Sequence, residues 1–600
     1  MLLQNIKRKI RNIMLQGLCC LVFTANSAEL LLNEMPPNKS TLSKVSEQYK
    51  DFIIDTDVLI KTTSGVTLSA VIVRHKSMST PQPTALQFHI YADVTKHIKQ
   101  AVKAARHGYV GITVDTRGKR LSPDEIIPME HDAEDVNDVI DWITKQDFSD
   151  GRVAMYGGSY LGFTQWAAAK YMHPALKTIV PSVANNPMQG LPMENNIFIN
   201  ANYQWPFYVM NNKTLDNAVN DDREYWNKAI NDWYKSGRAY RDIDKIEGTA
   251  NPYLQKRLLH PSHDEFWKSM GPVKGEYSEI NIPVLSINGY YDDGHISSLY
   301  YLNEHVKYNK KAQHYWIIGP YNHFFSQSKT INGYKKDTVA ALDRDELAFQ
   351  WFDYVLKGAK KPDLIKSKVN YQLMGDNSWQ HADSLAELNS DYQRFYLSNK
   401  KQDGFHQLTK QSDRLTGSLI QIIDLADRTI SNNTDSYYRP IIKEQLDDPT
   451  GFSFASVPFE QDTSVHGTFS GEIQVKINKH DFDLAMTFYE LSSEGKYFEL
   501  FYYIGRASYA KDPSHRQLLI PGEIEIIPFK DTRMTGKLFN KGSRLVVVVN
   551  VNKNEMAQVN FGTGKDVSDE TIADGKEPLK VEWLNTSFIN VPMKSMAAAL

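Results

Sequence analysis

Val153-Ala154-Met155-Tyr156-Gly157-Gly158-Ser159-Tyr160-Leu161-Gly162 is the stretch on which the reading of this chain turns. Asp150-Gly151 ahead of it is a turn signal, and the apolar run 153–156 reads as a short buried strand. Residues 160–172 read as a helix, with Leu161, Trp166, Ala168 and Ala169 available for packing. A glycine-flanked serine between strand and helix is the geometry of a nucleophile elbow. The serine occupies a strained turn, and its neighbours must be small so that strand and helix can approach. Its hydroxyl then stands at a helix N-terminus, where the amide N–H of Tyr160 can donate to an oxyanion. The spacing departs from the general G-x-S-x-G, because Leu161 stands at the second glycine position and Gly162 follows it.

On the N-terminal side, strands are expected over 66–74, 85–90 and 109–114, and Tyr91 directly follows the second. Helices are expected over 96–106 and 129–145. The latter carries the apolar stripe Ala133, Val136, Val139, Ile140 and Ile143. Asp132, Glu134, Asp135 and Asp138 are expected to form its solvated face, complementing the helix dipole rather than holding a metal. Another strand, 176–180, follows the elbow helix. Strands alternating with helices argue for a mostly parallel sheet covered on both faces.

From about residue 185 to 270 the apolar strands give way to dense aromatics, including Tyr203, Trp205, Phe207, Tyr208, Trp226, Trp233 and Tyr240. That pattern suggests an inserted helical cap with the aromatics as its core. The βα alternation resumes with strand 283–288, which ends in Gly289-Tyr290-Tyr291-Asp292-Asp293-Gly294-His295. Strand 314–318 ends in Gly319-Pro320-Tyr321-Asn322-His323, and an amphipathic helix over 343–357 stops at Gly358. From about residue 391 short strands separated by turn residues read as a sandwich or jelly roll. The expected organisation is therefore a signal peptide (1–28), an α/β-hydrolase domain in two parts (50–184 and 273–375), an inserted helical cap (185–272), and a C-terminal all-β jelly roll (390–590).

An exposed serine needs a base, and the base needs an orienter. Ser159, Asp292 and His323 each follow a strand, in the serine–acid–histidine order of α/β-hydrolases. Asp293 is a neighbouring candidate, and one of the two aspartates is expected to cap the helix that follows.

The 600 residues are too many for one core, and 41% hydrophobic with 23% charged residues is ordinary for a globular protein. A net charge of −3 points to neither nucleic acid nor an anionic membrane surface. Lys7, Arg8, Lys9 and Arg11 precede the short apolar run 13–23 and the small residues 25–28, the pattern of a cleaved export signal. Export to a periplasm or to the outside is expected, without stable membrane insertion after cleavage. Cys19 and Cys20 both lie in this segment, so the mature chain would hold no disulfide and no thiolate metal site. The sequence calls for no metal and no cofactor, and it leaves self-association open.

The chain resembles the CocE/NonD hydrolases and the S15 family of Xaa-Pro dipeptidyl-peptidases, a group that includes cocaine esterase and the α-amino-acid ester hydrolases. The elbow, Gly289-Tyr290-Tyr291-Asp292, Gly319-Pro320-Tyr321-Asn322-His323 and Trp351-Phe352-Asp353-Tyr354 carry the resemblance, together with Asp481-Phe482-Asp483-Leu484 and Gly505-Arg506-Ala507-Ser508 downstream. It spans about residues 55 to 552. The resemblance implies Ser159 as nucleophile, His323 as general base and acid, and Asp292 as orienter. It also implies that the Tyr91 phenol donates to the oxyanion beside the Tyr160 amide. Phe88-His89-Ile90 precede Tyr91 where the family often has arginine and proline. Small esters, amides or short peptides are the implied substrates. A dipeptidyl-peptidase or α-amino-acid ester hydrolase stays open within the family, as does a non-catalytic secreted binding protein outside it.

Overall fold

The computed structural model describes residues 48–325, 328–412, 417–432, 440–446 and 450–596. The chain divides into two compact units, Met1–Lys50 and Asp51–Leu600. The expected signal peptide, with Cys19 and Cys20, lies outside the described residues. Among the described residues no helix is long and apolar enough to cross a membrane.

The second unit is built on a 10-stranded sheet. Its strands are β1 (Phe52–Lys61), β2 (Thr67–His75), β3 (Gln82–His89), β4 (Val110–Asp115), β5 (Ser149–Gly158), β6 (Leu176–Ser182), β7 (Val284–Tyr291), β8 (His314–Asn322), β9 (Val369–Leu373) and β10 (Ser378–Ala382). They lie in the order β1-β2-β4-β3-β5-β6-β7-β8-β9-β10. From β4 to β9 every pairing is parallel, while β1, β2 and β10 join antiparallel. β1 and the β9–β10 hairpin were not legible in the sequence. Half of β1 alternates with exposed residues, and β9–β10 lies at the sheet edge beyond the last helix.

The parallel strands are joined by α1 (Val94–Arg106), α2 (Asp132–Thr144), α3 (Tyr160–Tyr171), α4 (His295–Tyr308) and α5 (Arg344–Lys357). The stripe Val136, Val139, Ile140 and Ile143 on α2 is fully buried against strands β3 to β5. The expectation of a solvated acidic face holds for the exposed Glu134 but fails for two of its residues. Asp132 and Asp135 are buried, because Asp135 takes a bidentate pair of hydrogen bonds from Arg117 and Asp132 accepts from the Tyr160 phenol. Helix α3 is buried nearly all round, and Trp166 stacks on Tyr301 at 4.6 Å.

Residues 185–272 hold several helices, the longest the 14-residue Arg223–Ser236, and a hairpin of two two-residue strands. Their aromatics form a common core: Tyr203, Trp205, Phe207, Trp226, Trp233, Tyr234 and Tyr240 are all buried. The C-terminal part is a 14-stranded, mostly antiparallel β assembly. Its last strand, Phe588–Ser595, pairs with Tyr392–Gln402, Ser470–Ile477 and Thr463–Gly467, so the end of the chain ties the domain together. Several of its strands, Ser418–Ile423 and Thr535–Phe539 among them, were not anticipated.

Candidate active site

Ser159, Asp292, His323 and Tyr91 come from four separate stretches, the first three directly beyond the C-terminal ends of the parallel strands β5, β7 and β8 and Tyr91 two residues beyond that of β3. In an open parallel sheet that edge is where binding crevices form. Ser159 sits between β5 and α3 at φ 63° and ψ −121°. A non-glycine residue held there costs on the order of 1–3 kcal/mol. The turn is held because the Ser159 N–H donates to the carbonyls of Ser182 (3.0 Å) and Val183 (3.2 Å) at the end of β6. The displaced glycine has its own reason: a Cβ on Gly162 would stand 2.7 Å from the Ala184 Cα, so only glycine lets α3 lie so close to the chain leaving β6.

The Ser159 hydroxyl lies 2.8 Å from His323 Nε2, and His323 Nδ1 lies 2.7 Å from Asp292 Oδ1. The carboxylate can only accept, so Nδ1 carries the proton and Nε2 is left to accept from the serine. Asp292 is fully buried, and its second oxygen has no partner among the described residues. Burial opposes a charged His323, but the adjoining Asp292 carboxylate, with Asp293 behind it, more than offsets this and raises the imidazole pKa. Neither aspartate caps α4: the N-cap is Gly294, without a side-chain bond.

Tyr91 packs edge-on to Tyr160 at 6.1 Å, and its phenol interacts with Ser159. Burial raises the phenol pKa, so it keeps its proton. The Tyr160 amide opens α3, where a first-turn N–H has no intrahelical acceptor. Among the described residues no cluster of three or more His, Cys, Asp or Glu side chains could hold a metal ion.

Residues 64–325 match the X-Pro dipeptidyl-peptidase (S15 family), and residues 366–582 match the X-Pro dipeptidyl-peptidase C-terminal non-catalytic domain. The chain belongs to the S15 family. It is a serine hydrolase of the CocE/NonD kind. It is 24% identical over 558 residues to the cocaine esterase of Rhodococcus sp. (strain MB1 Bresler), covering 87% of this chain and 95% of that enzyme. Two solved structures share its fold. An α-amino acid ester hydrolase superposes with a TM-score of 0.76 at 19% identity, covering 91% of this chain and 97% of that one. An aminopeptidase from a marine sediment archaeon (Thaumarchaeota archaeon) gives 0.75 at 18% identity, covering 90% and 96%.

In this S15 hydrolase a cavity of about 130 Å³ adjoins Asp292, lined by Glu194, Tyr290, Tyr291, Asp293, Tyr502 and Arg533 among others. Arg533 comes from the β domain and is buried. It donates to both oxygens of Glu194 at 2.7 and 2.8 Å, and also to the Tyr502 carbonyl and hydroxyl. The next residue, Met534, donates its backbone N–H to His295 Nε2 at 3.1 Å, so the β domain forms one wall of the site. Burial and the neighbouring Asp292 push the Asp293 carboxyl up to about 7. Sequence reasoning did not find Arg533. It lies 339 residues from Glu194, and no local pattern marks it.

Proposed function

We propose that Ser159, His323 and Asp292 form the catalytic triad of an acyl hydrolase for small esters or amides. The observation that carries this reading is the continuous chain from the buried Asp292 through His323 to the strained Ser159, at 2.7 and 2.8 Å. His323 Nε2 takes the Ser159 proton as Oγ attacks the carbonyl. The Tyr91 phenol and the Tyr160 amide receive the oxyanion. The imidazolium, held by Asp292, then protonates the leaving alcohol or amine, and the acyl-serine is hydrolysed by water in the reverse sense. All bonds made and broken in this cycle use the chain's own groups and water.

The reading includes no strict requirement for a free α-amine on the substrate. A buried ammonium needs an opposing charge, and the one carboxylate shortly after the elbow helix, Glu194, is already held by Arg533. The dipeptidyl-peptidase and amino-ester readings remain the alternatives, and Asp293 in the cavity wall is the feature that favours them. We also propose export; the basic residues 7–11 followed by the apolar run 13–23 support it, and cell fractionation tests it.

The deciding experiment measures kcat/KM on matched esters and anilides, each with a free or an acetylated α-amine, together with fluorophosphonate labelling of the native enzyme and Ser159→Ala. Labelling of the native protein alone is expected, with the free-amine substrate favoured by less than about a hundredfold, or ~2.7 kcal/mol. Labelling of the alanine variant would remove Ser159 from the reaction. A larger amine preference would favour the peptidase-like alternative.

A further inference from the structure

The Tyr91 side chain is held at both ends. Its backbone N–H donates to His89 Nδ1 at 3.1 Å, and its carbonyl accepts from His97 Nε2 at 3.1 Å. His89 is the last residue of β3 and His97 lies on α1, and both are buried with their rings edge to face at 4.9 Å. A ring nitrogen that accepts from an amide is unprotonated, so His89 acts here as a neutral imidazole. Burial, reinforced by the neighbouring His97, holds its pKa down at about 3.

At the other end the indole Nε1–H of Trp205, from the cap, donates to the Tyr91 phenol oxygen at 3.3 Å. An indole N–H can only donate. It therefore occupies a phenol lone pair, and the phenol hydrogen must point away from the indole. A hydroxyl that accepts one hydrogen bond also becomes the stronger donor in the next.

We propose that Trp205 and His89 are positioning residues that pre-aim the Tyr91 phenol as a donor to the oxyanion. The proposal rests on the assignment of Tyr91 to the oxyanion site. His89 sets where the main chain of Tyr91 stands; Trp205 sets which way its O–H points. The donor is then in place before charge develops, which is when a fixed dipole is worth most to catalysis. Because Trp205 belongs to the aromatic core of residues 185–272, docking of that segment completes the site.

The test is steady-state kinetics on a small uncharged ester, p-nitrophenyl butyrate, with thermal melts as the check on folding. The variants are Tyr91→Phe, Trp205→Phe, His89→Leu, His89→Asn, and Tyr91→Phe combined with Trp205→Phe or with His89→Leu. Tyr91→Phe is expected to lower kcat by about 10²–10³, the effect of losing one oxyanion donor. Trp205→Phe keeps an aromatic side chain but loses the N–H together with the pyrrole part of the indole; it and His89→Leu are expected to lower kcat about tenfold or more, with KM held within about threefold. His89→Asn, whose Oδ1 can accept the Tyr91 N–H, should recover most of the His89→Leu loss. In the Tyr91→Phe background both losses should shrink to less than about twofold, because the group they position is gone. If Tyr91→Phe leaves kcat unchanged, the assignment of Tyr91 fails and the proposal falls with it. If Tyr91→Phe is impaired while Trp205→Phe is fully active, or while the Trp205 loss persists undiminished in the double variant, the positioning proposal alone is overturned. Should His89→Leu not fold, the Trp205 series decides the matter by itself.

Discussion

Two adjacent aspartates, Asp292 and Asp293, stand beyond β7, and replacing each by asparagine separates their roles. His323 Nδ1 lies 2.7 Å from Asp292 Oδ1, and the Asp292 side chain is fully buried. When His323 takes the serine proton, its positive charge and the carboxylate are about 4 Å apart between charge centres. At an effective dielectric of about 20 that attraction is worth ~4 kcal/mol, or roughly three powers of ten in rate. Asparagine loses the attraction, and its amide can also donate to Nδ1, which moves the imidazole proton to Nε2 where the serine proton must go. The expected loss for Asp292→Asn is therefore about 10³–10⁴ in kcat. Asp293 has no such bond; it raises the His323 pKa only through its charge. Asp293→Asn should retain kcat at alkaline pH to within about threefold and move the acid limb of the pH profile to lower pH. The assay is kcat/KM on p-nitrophenyl butyrate from pH 5 to 9, as about nine points, with fluorophosphonate labelling rates and a thermal melt for each variant. If Asp293→Asn loses the several orders of magnitude and Asp292→Asn does not, the orienter is Asp293 and the reasoning is refuted.

The native pH profile of kcat/KM should rise through a pKa above the ordinary 6.5, because His323 must be neutral to act as base and its pKa is raised; a limb centred below 6.5 would contradict the assignment. Arg533→Met leaves Glu194 as an unpaired buried charge and should lower stability by about 3–5 kcal/mol, read from denaturant melts; Glu194→Met combined with Arg533→Met should recover much of that, and an unaltered melt for the single variant would show the pair to be unimportant. Gly162→Ala places a methyl 2.7 Å from the Ala184 Cα and should cost about 1–3 kcal/mol by forcing α3 away from the sheet, with a matching loss of activity. Asp135→Asn breaks the bidentate bond from Arg117 inside the protein and should destabilise it by about 3 kcal/mol; a change below about 0.5 kcal/mol would restore the solvated-face reading of α2.

The parallel core was legible because its signals are local. Each strand from β2 to β8 is a short apolar run closed by turn residues, and the α2 stripe repeats at helical spacing. The order Ser159, Asp292, His323 was readable for the same reason: each residue directly follows a strand, so a one-dimensional pattern places all three on one edge. β1 escaped because its exposed residues dilute the apolar pattern, and the β9–β10 hairpin because its two strands are only five residues each, the second mostly polar and half-buried. Asp132 and Asp135 of α2 were misplaced because charge alone does not reveal a partner. Arg117 is 18 residues from Asp135 in the chain yet closes its carboxylate inside the protein.

The sequence by itself determined the class of protein: a strand–serine–helix elbow, an acid and a histidine in hydrolase order, an aromatic insertion and a β-rich C-terminal half. These follow from residue spacing along a strand or helix, which neighbouring residues specify. Only the tertiary structure decided what surrounds the reacting atoms. It brought Arg533 of the β domain onto Glu194, set Trp205 against the Tyr91 phenol, and put His89 and His97 on its backbone. Such contacts join residues up to 339 positions apart. They depend on how buried polar groups find partners once water is excluded, a condition met only after the whole chain has folded.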